Sequence, residues 1–423
     1  MQSSTSNLRF AGDVYIKEVQ LNSLNGRVAN VTAQVEQIEI FEDLFSPFTT
    51  MSIVMRESID YINLFPFVGE EYVDIDIFTP TMNKGFKGRY YIYKITNREY
   101  SKEKEVVYTI KAISQEFLVD ANTKISKGFN GNISEIARSI MLKEGLNTQK
   151  NIVIDPATNK TRFTANYWTP SRCLNILSAS AVDSSNSPSF LFFENRDGFN
   201  FRSINSILTR QIYQQFKKDN YVRDTNYDGV TSSRNIEEDY KRIISLSIPV
   251  VTDYMDDIQT GKIKSRMINY DILTKKYAVK DYSVKKDKAK PVWLNKNPAY
   301  SKYTLANAAS TLISMPKHYN NFNNYIDTTN SKTMQRRLSF FKLLESYKVN
   351  IQVYGRTDYT VSQIVDLNIP KATQLFKNEN DPRDLIISGK YVVSALNHTI
   401  TRDQHICNME LIKNSVLTDL SNE

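Results

Sequence analysis

The chain has 423 residues, enough for two to four domains, with 41% hydrophobic and 24% charged side chains, the balance of a soluble globular protein. Its 13 glycines exclude a glycine-rich nucleotide-binding or fibrous protein, its two cysteines (Cys173 and Cys407) exclude a disulfide framework while leaving a single bridge open, and no apolar run is long enough to span a bilayer. The net charge of +8 is local: residues 262–302 hold 12 Lys/Arg against 3 Asp, whereas the first 116 residues hold 12 basic and 16 acidic groups. In chain order, the start MQSSTSNLRF lacks the apolar stretch of a secretory signal. Six segments then predict strands within residues 12–116: VYIKEVQL, VTAQVEQIEIF, TTMSIVMRE, EYVDIDIFT, RYYIYKIT and VVYTIKAIS. Six strands in so short a stretch suggest a small barrel or sandwich.

The period changes after residue 116. Ile133, Ile136, Ile140 and Met141 fall at helical spacing with Ser134 as the expected cap, and a second helix is expected from Pro170, capped by Thr169, with Cys173, Ile176 and Leu177 on one face. SFLFFENRDGFNFRS reads as a hairpin turning at Asp197-Gly198. Strands resume at KRIISLSIPVV and KIKSRMINYDI, and a lysine-rich stretch follows that reads most simply as a solvated loop and otherwise as a surface for nucleic acid or an acidic protein. A helix in SKTMQRRLSFFKLLESY precedes strands in KVNIQVY, QIVDLNIP, GKYVVSALNHTIT and HICNMELIK.

The two strand-rich ends resemble each other. Gly88/Gly389, Tyr90/Tyr391, Ile95/Leu396, Ile110/Leu411 and Ser114/Ser415 keep a constant offset of 301, and VDIDIFTP (73–80) has a counterpart in VDLNIP (365–370). The expected organisation is two related small β-barrels, at 1–116 and at 209–285 with 338–423, around an α/β region at 117–208, with a partly helical insertion at 286–337.

Motifs for chemistry are weak. Asp224, Asn226, Asp228 and Gly229 match the first half of a calcium loop, but Asn235 stands where the bidentate glutamate belongs and Glu237 comes two residues late, so an Asx-rich linker is the better reading. His318, His398 and His405 sit apart in the sequence. His405 and Cys407 share a strand face and read as a polar histidine beside a core cysteine, not as a base and its nucleophile. Glu70-Glu71, Asp256-Asp257 and Glu237–Asp239 read as solvated surface. No P-loop, GxGxxG or GxSxG occurs, and no catalytic, cofactor-binding or metal residue is assigned.

FEDLFSPFTTMSIVMRES with LFPFVGEEYVDIDIFTP, ISKGFNGNISEIARSIM, TPSRCLNILSASA and the closing GKYVVSALNHTI together resemble the baseplate hub subunit of contractile-tailed, myovirus-type bacteriophages. The resemblance covers most of 35–205 and 335–415; it departs at Ser362, where related proteins often have glycine, and in the basic insertion. It implies a homotrimer whose six related domains match a hexameric tail tube or tube-initiator protein on one side and hold a trimeric cell-puncturing spike on the other. Baseplate wedge proteins would surround it, DNA would meet it only in transit, and no stable membrane insertion is expected. The implied place is the virion tail, assembled in the host cytoplasm, and the implied role is not enzymatic. The rival expectations are a hub or spike protein of a non-phage contractile injection system, a glycan-binding or glycan-cleaving tail protein, and a nucleic-acid-binding protein using 262–302.

Overall fold

The alternating segments of the N-terminal part become strands in the computed structural model, which describes residues 8, 10–59, 61, 69, 71–80, 82, 85–102, 105–218, 236–250, 253–271, 275–287, 291–300, 311–316, 329–371 and 382–420. They are β1 (Tyr15–Asn22), β2 (Val28–Asn30), β3 (Val35–Asp43), β4 (Thr50–Glu57), β5 (Tyr72–Phe78), β6 (Gly85–Lys102) and β7 (Glu105–Ser114). All pair antiparallel, in the order β3-β4-β7-β6-β5-β1-β2. In β5, Val73, Ile75 and Ile77 are buried, while Asp74 and Asp76 face out to Arg89 and Lys17. A one-residue slip would turn those apolar side chains to water, so the alternation fixes the register. The inward residues form one cluster around Ile38, Ile53, Val73 and Ile110.

Next come α1 (Gln115–Asn122), β8 (Ile125–Asn132), α2 (Ile133–Ser139), β9 (Ile152–Ile154), β10 (Lys160–Trp168), α3 (Pro170–Ser180), β11 (Phe190–Asn195), β12 (Gly198–Ser203) and α4 (Ile204–Leu208). Ile133, Ile136, Ile140 and Met141 are buried as their spacing requires. The cap of α2, however, is Asn132, which accepts the Ser134 N–H at 2.9 Å. The Ser134 hydroxyl is used elsewhere, donating to the Asp155 carbonyl and accepting from Ala157. At α3, Thr169 caps Arg172 N–H and Pro170 opens the helix, as expected. Phe190, Phe192, Phe199 and Phe201 lead the core of this region. Both cysteines are free and buried.

The remaining elements are β13 (Ile212–Lys217), α5 (Ile236–Tyr240), β14 (Ile243–Val250), α6 (Tyr254–Gln259), β15 (Lys264–Asp271), β16 (Lys276–Ser283), β17 (Asn297–Pro298), β18 (Thr311–Pro316), α7 (Thr329–Leu344), β19 (Tyr347–Tyr354), β20 (Ile364–Asn368), β21 (Gly389–Thr401), β22 (His405–Lys413) and β23 (Ser415–Val416). The lysine-rich segment is not a plain loop where it is described. β15 and β16 form a hairpin joined in parallel by β18, Arg266 pairs with Asp281, and Lys262 is buried against Asp257 at 2.9 Å. Helix α7 is fastened to the middle region by Arg337, which donates to the carbonyls of Ser178, Pro188 and Phe190.

The two halves repeat one strand order, β3-β4-β7-β6-β5 and β14-β19-β22-β21-β20. Their registers agree in detail. Val73 faces Tyr90, Asp74 faces Arg89 and Ile75 faces Gly88; correspondingly, Val365 faces Tyr391, Asp366 faces Lys390 and Leu367 faces Gly389. Each long strand carries a bulge at the same place, between Ile92 and Lys94 and between Val393 and Ala395. On the return strands the spacing is two residues shorter than the sequence suggests. Ile110 lies opposite Ile95 and Met409 opposite Leu396, so the counterpart of Ile110 is Met409 and not Leu411.

β21 has two partners on one side. Its first residues pair with β20, whereas Ala395–Thr401 pair with β3, which joins the halves into one 13-stranded sheet. No ladder among the described residues closes either half into a ring, so the expected pair of closed barrels is seen as two halves of a single sheet. Beyond this sheet, no described helix is long and apolar enough to cross a membrane.

Candidate functional site: the junction and the exposed strand edges

Where the halves meet, polar groups are buried and almost every one is matched. Glu42, at the end of β3, accepts hydrogen bonds from Thr360 Oγ1 at 2.5 Å, Val361 N at 3.1 Å and Arg196 N at 3.0 Å. Burial nevertheless raises its pKa to about 7, against the opposing pull of those donors and of the Arg196 charge. Arg196 sits in the β11–β12 turn, and its guanidinium also donates to the Thr357 carbonyl. Thr79 and Thr357 exchange reciprocal backbone-to-hydroxyl bonds of 3.2 and 3.0 Å. Beside them Lys150 bridges Glu116 at 2.7 Å and Glu194 at 2.5 Å, while Glu194 also accepts the Thr49 N–H at 2.9 Å. Burial opposes the charge on Lys150, but the two carboxylates outweigh it and hold its pKa above the usual lysine value. Glu42, Arg196 and Thr79 thus tie the first half and the middle region to the second half, while the Lys150 group ties the middle region to the first half.

Several strand edges carry no ladder among the described residues, and two of them flank the repeated strand order. One is the outer edge of β14, the end of the sheet; the other is the edge of β6 from Lys94 onward, where β5 has already ended. Large side chains stand exposed there: Tyr93 and Tyr100 on β6 at 52% and 74%, and Ile244 on β14 at 42%. Unpaired edges with exposed aromatics are templates for another chain. A groove of about 470 Å³ crosses β14, β19, β22, β21 and β3 on the sheet face, lined by Ser245, Asn350, Gln352, Asn397 and Asn408 among others.

The residues weighed for chemistry are placed as follows. Asp224–Gly229 and His318 lie outside the described residues. Glu237 and Glu238 are surface partners of Lys241, and Asp256 pairs with Lys342. Glu71, expected on the surface, is buried. His398 and His405 do not sit apart. The β21–β22 register sets His398 opposite Cys407, and His398 Nδ1 lies 3.0 Å from His405 Nε2 and 3.2 Å from Cys407 Sγ. All three are fully buried. Counting back through the short turn at residues 402–404 would have revealed this pairing from sequence.

No protein-family model matches the chain. A probable baseplate hub protein, gp334 of Vibrio phage KVP40, is 22% identical over 414 residues, covering 92% of this chain and 91% of its own. Over nearly its whole length the chain is therefore similar to a phage baseplate hub protein. That likeness supports a structural role in a tail baseplate. The fold agrees. A tail protein from Neisseria meningitidis MC58 superposes with a TM-score of 0.54 at 12% identity, over 94% of this chain and 97% of its own. The 43 kDa tail protein of prophage MuSo2 from Shewanella oneidensis gives 0.55 at 8% identity, over 94% and 98%.

Proposed function

We propose that this hub protein is a homotrimer that joins the hexameric tail tube, or a tube-initiator protein, to a trimeric cell-puncturing spike, with no catalytic step of its own. The observation that carries the reading is the in-chain contact of β21 with β3. Because the halves repeat, β6 is the counterpart of β21 and β14 that of β3. Leu246 lies across from Ile351 as Ile38 lies across from Ile53. The same contact made between chains lays the β6 edge near Asn97–Tyr100 along Ser245–Ile248 of the next copy. Each half supplies four strands to that course, so three chains form a closed ring of twenty-four strands in which six similar units match a six-fold partner. The repeat units in this reading are 1–116 and 209–285 with 338–423, around 117–208, and the 286–337 insertion lies outside them.

One sheet face would then line the channel for DNA in transit. The hydroxyl and amide side chains of Ser245, Ser247, Asn350, Gln352, Asn397 and Asn408 suit a polyanion that must pass without sticking. Wedge proteins would surround the ring, assembled in the host cytoplasm. Mass measurement of the purified chain tests the reading: a trimer is expected, and Tyr93→Glu with Tyr100→Glu should yield a folded monomer. A wild-type monomer that ignores both tube and spike proteins would sink it.

A further inference from the structure

The repeat offers an internal control for the buried cluster at His398, His405 and Cys407. On the return strand of the first half, the positions matching His405 and Cys407 are Val106 and Tyr108, and the bulge at Asn97 stands in place of His398. The fold is therefore built once without a histidine–histidine–cysteine group, so the group is not a requirement of the strand order. It is nonetheless carefully accommodated. A Cβ on Gly355 would lie 2.3 Å from the His405 ring, so glycine is needed there for the imidazole to enter. The strand carrying His405 is pinned by its N–H to the Gly12 carbonyl and by its carbonyl to Gly355 N–H, both at 2.8 Å. The Phe86 ring closes on His398 edge-on at 4.7 Å between centroids.

Left to themselves these groups are poorly satisfied. His398 Nδ1 and His405 Nε2 face each other, so only one of the two can carry the proton between them, and the thiol contests the same nitrogens. Among the described residues, the outer nitrogens His398 Nε2 and His405 Nδ1 and the buried hydroxyl of Tyr359 have no hydrogen-bond partner. Burial drives both imidazoles toward the neutral form, the form in which nitrogen lone pairs are available. The three inner atoms stand 3.0, 3.2 and 3.6 Å apart. Metal–nitrogen bonds of about 2.0–2.1 Å and a metal–sulfur bond of about 2.3 Å around one tetrahedral ion require donor separations of about 3.3–3.6 Å.

We propose that His398 Nδ1, His405 Nε2 and Cys407 Sγ bind one borderline-soft transition-metal ion, zinc in the first instance. Binding displaces the thiol proton to solvent, giving a thiolate–metal bond and two imidazole–metal bonds, with no change in oxidation state. The ion stitches β21 to β22 one strand away from the β3 contact, at the centre of the interface between the halves. Oxygen-preferring magnesium and calcium do not suit this donor set.

The test uses the full chain without an affinity tag. Metal analysis after dialysis against stoichiometric zinc is expected to find about one ion per chain. Cobalt substitution should give a thiolate-to-cobalt charge-transfer band and the intense visible bands of a tetrahedral site. Cys407→Ser should remove the charge-transfer band and weaken zinc binding on the order of a hundredfold. A strong chelator should lower the melting temperature of the wild type, and added zinc should restore it. A wild-type chain with no cobalt charge-transfer band and an unchanged melting temperature in chelator overturns the proposal, whether or not the variant folds. Because these readouts concern one chain, they are independent of its oligomeric state.

Discussion

The first and second halves share five strands in one order, yet they are stabilised differently. The first half has an aliphatic and aromatic cluster running from Val19 to Ile110, and its buried charges among the described residues, Glu42, Glu57 and Glu71, are carboxylates alone. The second buries groups of another kind: the His398, His405 and Cys407 cluster, and Lys413, whose ammonium donates to the carbonyls of Ile386, Ile387 and Ser388 at 2.6, 3.0 and 2.9 Å. Burial pushes the Lys413 pKa down to about 7, but three acceptors for three N–H bonds suit the charged form. Lys413 has Ser114 as its counterpart on the first return strand when the two-residue shift is applied. A shared topology thus tolerates buried carboxylates in one half and buried imidazole, thiol and ammonium groups in the other.

The largest expected effect loosens the middle region from the first half. Lys150→Met removes the cation between Glu116 and Glu194 and leaves two buried carboxylates facing each other, which should cost about 3–5 kcal/mol in unfolding free energy, measured by denaturant titration. A pH series is next. Glu42 has a folded pKa near 7, above its ordinary value of 4.5, so the folded state holds its proton more tightly than the unfolded chain. Its contribution is complete below pH 4.5 and is lost as pH rises through 7, a change of about 3 kcal/mol. Glu42→Gln should flatten that part of the profile, and the difference between the two proteins isolates Glu42 from other titrating groups. An unaltered slope would mean that its three donors keep it ionised.

Replacing Lys413 by Met tests how far the second half depends on its polar core. A loss of about 2–3 kcal/mol is expected, because three carbonyls lose a charged partner. The smallest effect concerns Ser362, which departs from the glycine common in the resembling family. Its φ of +69° is left-handed, and its hydroxyl accepts Arg210 Nη1 at 2.9 Å. Ser362→Gly should relieve about 1 kcal/mol of backbone strain and lose a hydrogen bond of similar worth, leaving the melting temperature nearly unchanged.

Much of this was legible in the residues. Alternation in VDIDI and its neighbours gave strands, faces and register because one side of the sheet is covered. The repeat was visible because glycine, tyrosine and a strand ending at a proline recur at matched positions, whereas the matched acid–base pair emerged only from the register. β13 was not, since IYQQFK scarcely alternates and its strand depends on a parallel partner, Ile364–Asn368, about 150 residues away. Burial of Glu42 and Glu194 was equally hidden. Glu42 continues the inward face of Ile38 and Ile40, and Glu194 that of Phe190 and Phe192, but the groups that satisfy them come from segments far off in the chain.

Strand β21 makes two neighbours out of one edge, and in the trimeric reading this divides the seams of the ring into two kinds. Three lie within a chain and form at the effective concentration of a tether as each copy folds. The other three form only by encounter and are the places where the ring would part under load. A ring built this way would come apart into whole chains, never into halves, so six-fold geometry is obtained from three association events. The intermolecular seams are also free to drift in sequence away from the intramolecular ones, because nothing obliges a tethered contact and an untethered one to be equally strong.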